Sequence, residues 1–110
     1  MGRDRKRRGI AAVGPWLPLP LGFLRSRAAA ELSPHATKLL LDALAQLGPN
    51  ATRNGDLTSA PAEMRKRVWT SRSTLSAALQ ELVGASMLVC TRQGSRLSCS
   101  LYAITLFPLD

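Results

Sequence analysis

The sequence predicts a mainly helical α+β fold, three helices followed by a C-terminal β-hairpin, and three observations carry that prediction. Ser33 to Leu47 repeats apolar residues at helical spacing. Residues 63–88, EMRKRVWTSRSTLSAALQELVGASML, read as the end of one helix, a tight turn, a second helix and the start of a strand. Residues 87–92 and 97–107 are two β-prone runs around a Gly-containing turn.

Ser33 can cap the first of these helices, and Pro34 suits its first turn. Ala36, Leu40, Ala43, Leu44 and Leu47 form its inner face, whereas Lys38, Asp42 and Ala45 are expected to point outward. Gly48-Pro49 ends it. Residues 50–56, NATRNGD, form a loop with an Asn-Gly turn, and Leu57 is expected in a very short strand. Pro61 opens the second helix, whose inner face holds Met64 and Val68, and Trp69 plugs the core from the turn. The third helix, 71–83, starts at the hydroxyl cap Ser71 and buries Leu75, Ala78, Leu79 and Leu82.

The opposite face of that third helix carries Ser73, Ser76, Ala77 and Gln80, all small or amide side chains. Such a face fits a DNA major groove, and Gln can pair with the two polar edge atoms of adenine. Arg65, Lys66 and Arg67 stand at the mouth of the turn, and Ser71 and Arg72 open the helix. Arg92 and Arg96 flank the hairpin tip. The order helix, short strand, helix, turn, helix, strand, wing, strand is that of a winged helix-turn-helix over residues 33–110. The expected DNA contacts are therefore Arg65, Lys66, Arg67, Ser71, Arg72, Ser73, Ser76, Gln80, Arg92 and Arg96.

Charge supports a polyanionic partner. The 110 residues carry a formal net charge of +8. Residues 1–8 contribute +4 and residues 60–97 another +4, so the surplus sits on an expected disordered basic arm, residues 1–14, and on the helix-turn-helix and hairpin. Residues 15–32 form an apolar, proline-broken lead-in with room for one short helix; it is expected to pack Trp16, Leu19, Phe23 or Leu24 on the main body, or to pair two copies into a homodimer. A basic start, an apolar stretch and Ala28-Ala29-Ala30 also follow the order of a signal peptide, but Pro15, Pro18 and Pro20 interrupt the apolar part.

No apolar run approaches the ~20 residues of a membrane span. Cys90 and Cys99 are too few for a disulfide framework and are expected as reduced thiols in a cytoplasm. His35 is the single histidine, so no zinc ligand set with normal spacing exists. There is no Gly-rich phosphate loop and no pair of carboxylates at useful spacing. Asp42, Asp56, Glu63 and Glu81 read as scattered surface groups. The expectation is a non-enzyme without cofactor, metal or small-molecule substrate.

The stretches LSPHATKLLLDALAQL, RNGDL, MRKRVWTSRSTLSAALQELV, TRQG and SLYAITLFPLD resemble small bacterial winged helix-turn-helix proteins of mobile and phage-like elements. They are also similar to N-terminal domains of plasmid replication initiators. The likeness covers about residues 17 to 110. It implies double-stranded DNA binding in transcription regulation, or an accessory role in replication alongside a replication or transcription protein; a protein–protein module on the same fold is the alternative. Two positions depart from the family pattern. Val68 and Ser86 stand where glycine is usual, which predicts an altered turn before Trp69 and an earlier helix cap at Gly84. The hairpin also lacks the usual Asn or Pro after Arg96.

Overall fold

The computed structural model describes residues 16–48, 51–93 and 99–107. The basic arm, Arg96 and the hairpin tip lie outside the described residues. The elements run α1 (Leu21–Leu24), α2 (Arg27–Ala30), α3 (Pro34–Ala45), α4 (Pro61–Arg65), α5 (Arg72–Gly84), β1 (Leu88–Gln93) and β2 (Cys99–Ile104). The fold is thus α+β and mainly helical, with one antiparallel hairpin among the described residues.

Local chemistry accounts for the helix starts. The Ser33 hydroxyl accepts from the Ala36 N–H and Pro34 occupies the first turn, as expected for α3. Ser71 accepts from the Thr74 N–H and starts α5 in the same way. α3 buries Ala36, Leu39, Leu40, Ala43 and Leu44, and α5 buries Leu75, Ala78 and Leu82. These two helices pack on each other, and Leu57, Met64, Trp69, Met87, Leu88, Tyr102 and Ile104 complete one core.

The helix ends correct two expectations. After α4 the Val68 N–H donates to Arg65 O and the Trp69 N–H to Met64 O. After α5 the Ser86 N–H donates to Val83 O and the Met87 N–H to Leu82 O. Both are Schellman ends, which require a left-handed residue just past the helix. Val68 (φ 72°) and Ser86 (φ 62°) adopt that conformation despite their side chains. The turn before Trp69 is therefore the one a glycine would make, and the left-handed residue that closes α5 is Ser86, just past the C-cap Ala85, rather than Gly84. Val68 is 76 % exposed and contributes nothing to the inner face. What holds each end is the apolar pair that the motif brings together, Met64 with Trp69 and Leu82 with Met87, all buried.

β1 and β2 pair with Leu88 opposite Ile104, Val89 opposite Ala103 and Cys90 opposite Tyr102; two register shifts follow toward the tip. Leu57, expected in a very short strand, makes a single antiparallel bridge to Tyr102. Its N–H donates to Tyr102 O at 3.0 Å and its carbonyl accepts the Tyr102 N–H at 2.8 Å. Tyr102, Ala103 and Ile104 are all buried, so both faces of β2 are covered at this end. Burial pushes the Tyr102 hydroxyl up from its usual range, against a hydrogen bond with Ser59. Cys90 is disulfide-bonded, which corrects the expectation that it is a reduced thiol.

The loop before Leu57 is pinned from inside. Asn54, 1 % exposed, donates through Nδ2 to the carbonyls of Ile104 and Phe107, both at 2.9 Å, and accepts the Ile104 N–H at 2.7 Å. Gly55 follows at φ 110°. In the lead-in, Leu17, Leu19 and Phe23 lean on the core, whereas Trp16 is 81 % exposed and Leu24 is also exposed. Leu21 and Leu24 share one side of the single turn of α1, so Phe23 alone of its residues leans on the core. No helix among the described residues is long and apolar enough to cross a membrane.

Candidate nucleic-acid interface

The exposed face of α5 holds Arg72, Ser73, Ser76, Ala77 and Gln80, with Ser71 at its cap. Arg72 is the only charged residue of that face. Arg65 and Lys66, at the end of α4, are exposed beside the turn, and Arg92 is exposed on β1. Lys66 meets Glu63 at 3.3 Å on an open surface, a pair that is readily exchanged for another anion. The structure therefore gathers Arg65, Lys66 and Arg72 near the turn and lays the short polar side chains along the helix that follows.

Arg67 departs from this group. It turns inward to Asp42, with Nε and Nη2 each 3.0 Å from Oδ1. Asp42 is 4 % exposed, which corrects both its expected outward orientation and its reading as a scattered surface acid. It also accepts Lys38 Nζ at 2.7 Å and the buried Trp69 indole N–H at 2.6 Å. Lys38 in turn donates to Arg67 O at 2.7 Å and lies 4.9 Å from the Trp69 ring centroid. Burial pushes the Asp42 carboxyl up. Hydrogen bonds from Lys38, Trp69 and Arg67 outweigh that push and hold it below the usual carboxylate range. One carboxylate thus ties the middle of α3 to the turn that aims α5, and Lys38 and Arg67 together exceed its charge by one.

Glu81 is the second acid that sequence reading left on the surface. Oε2 accepts the Ser33 N–H at 2.8 Å and Oε1 the Ser33 hydroxyl at 2.7 Å. These bonds hold its carboxyl below the usual range. The cap of α3 is therefore shared with α5, a capping box closed by a residue from another helix.

Two clefts flank the ridge Trp69-Thr70-Ser71. One, about 270 Å³, opens toward α3 and is lined by His35, Lys38 and Thr74 besides the ridge. The other, about 240 Å³, opens toward α4 and carries Arg65 and Arg72. His35, exposed in the first turn of α3, has its ring centroid 6.2 Å from that of Trp69. No group of three His, Cys, Asp or Glu among the described residues is arranged to hold a metal ion. Compared with protein-family models, with curated proteins and with solved structures, the chain matches none.

Proposed function

We propose that this chain binds double-stranded DNA as a winged helix-turn-helix protein, with α5 in the major groove and the hairpin against the backbone. The observation that carries the reading is the exposed face of α5, where Ser73, Ser76, Ala77 and Gln80 form a narrow, uncharged strip beside Arg72, Arg65 and Lys66. A strip of short side chains lets a helix approach base edges, and flanking cations neutralise phosphates. The order α3, Leu57, α4, turn, α5, β1, β2 supports the same reading, with Leu57 bridged to β2 at Tyr102.

The role is transcription regulation of the kind found on mobile and phage-like elements, or accessory DNA binding in their replication. The exposed Trp16, Leu21 and Leu24 favour an added protein contact, with a second copy or with a replication or transcription protein.

Fluorescence anisotropy of the purified chain on random and selected duplexes, across a salt series, tests this reading. Affinity is expected to fall steeply with salt, by about 0.9 log units per log unit of salt for each phosphate neutralised. Lys66→Ala weakens all duplexes alike and lowers that slope. Gln80→Ala relaxes preference at one position by about 1–3 kcal/mol. Salt-independent retention, or no binding, refutes the proposal. Equal effects of both variants on specific and random DNA refute the assigned roles.

A further inference from the structure

The sequence predicts an outward-pointing Lys38 on α3 and gives His35 no role. The structure gives them a shared position. They line one side of the 270 Å³ cleft, and Trp69, Thr70 and Thr74 line the other. The cleft is large enough for a phosphate group. Its hydroxyls come from Thr70, which is exposed, and from Thr74. Its charge comes from Lys38, which spends two of its three N–H groups on Asp42 and Arg67 O. Lys38, whose side chain keeps 41 % of its surface in water, is the cation that lines this cleft, and the carboxylate it pairs with is buried.

Across the ridge, the second cleft carries Arg65 and Arg72. The turn is thus a wedge with basic residues on each flank. We infer that the cleft of His35, Lys38 and Thr74 is a second phosphate seat, and that the ridge Trp69-Thr70-Ser71 sits between two backbone phosphates of one DNA strand. This inference rests on the proposed DNA binding. It adds a job for α3: a phosphate gripped on each flank fixes how the protein is rotated on the duplex, and hence which bases Gln80 meets. Phosphate contacts set register in this way without reading sequence themselves.

His35→Glu tests the seat. The position is exposed and in the first turn of α3, where an acidic side chain suits the helix end, so the fold is retained. His35→Gln serves as the uncharged control. Thr74→Glu is a second variant; it creates a capping box with Ser71 while placing a carboxylate in the cleft. On duplex DNA, the two Glu variants are expected to bind about tenfold more weakly than His35→Gln, with a salt slope shallower by about 0.9. Titration with inorganic phosphate, read by Trp69 emission in a Trp16→Phe background, is expected to saturate in the parent and to fail in both Glu variants.

If the parent binds DNA but the Glu variants match His35→Gln in affinity and slope, the seat is refuted while DNA binding stands. A phosphate response without any effect of the Glu variants on DNA refutes the backbone assignment and leaves a free-phosphate site. A parent that binds no DNA sinks the proposed function and this inference with it.

Discussion

Replacing Asp42 with alanine removes the acceptor of three donors at once, and the cost can be worked out from their surroundings. The Trp69 indole N–H lies in a buried ring and loses its acceptor among the described residues, which costs about 1–3 kcal/mol. Breaking a fully buried ion pair costs about 3–5 kcal/mol. Here the side chains of Lys38 and Arg67 keep 41 % and 51 % of their surface in water, so both regain solvent and the ionic part shrinks to about 1 kcal/mol. Asp42→Ala is therefore expected to cost about 2–4 kcal/mol, and Asp42→Asn, which keeps an oxygen for the indole, about 1–2 kcal/mol. Urea denaturation followed by circular dichroism measures both.

The pH dependence supplies a second check. The Asp42 carboxyl titrates lower in the folded protein than its ordinary 3.8. Its ionised form therefore stabilises the fold fully at pH values above 3.8, and that contribution disappears as pH falls through the lowered folded value. The gap between the parent and Asp42→Asn should be widest at neutral pH and should close in strong acid. A gap that stays constant from neutral to strongly acidic pH refutes the ionic role, and equal costs for Ala and Asn refute the indole bond as the larger part.

Three more outcomes are expected. Val68→Gly relieves a β-branched residue at φ 72° without losing burial; the gain from strain relief, about 1–3 kcal/mol, exceeds the entropy cost of glycine, about 0.5–1 kcal/mol, so the melting temperature rises. Asn54→Ala leaves the Ile104 N–H without its acceptor in a buried site and lowers stability by about 2–4 kcal/mol in the same urea assay. Leu82→Ala opens a void at a side chain with no exposed surface and costs about 2–5 kcal/mol, measured by calorimetry.

What could be read from the sequence was what depends on near neighbours. Ser33-Pro34 and Ser71 set the starts of α3 and α5 within one turn, and the hairpin follows from two β-prone runs. The exposed strip of Ser73, Ser76, Ala77 and Gln80 was legible for the same reason, since helical spacing alone sorts it from Leu75, Ala78 and Leu82. What could not be read depends on distant partners. Lys38 and Asp42 four residues apart look like an ordinary surface pair, and nothing local announces Arg67 or Trp69 arriving from 25 and 27 residues away. Glu81 meets Ser33 across 48 residues. At Val68 and Ser86 the local preference was read correctly and overruled, because burying Trp69 and Met87 outweighs the strain on a single residue.

Asn54 joins positions 50 residues apart in the chain, and its bonds form only when the loop meets the far end of β2. Closing so long a stretch is slow relative to helix formation. Placing these bonds after the rate-limiting step predicts that Asn54→Ala speeds unfolding and leaves refolding nearly unchanged in a urea chevron. On that order the residue is a latch on the lifetime of the native state, setting how long the hairpin stays seated rather than how quickly the chain folds.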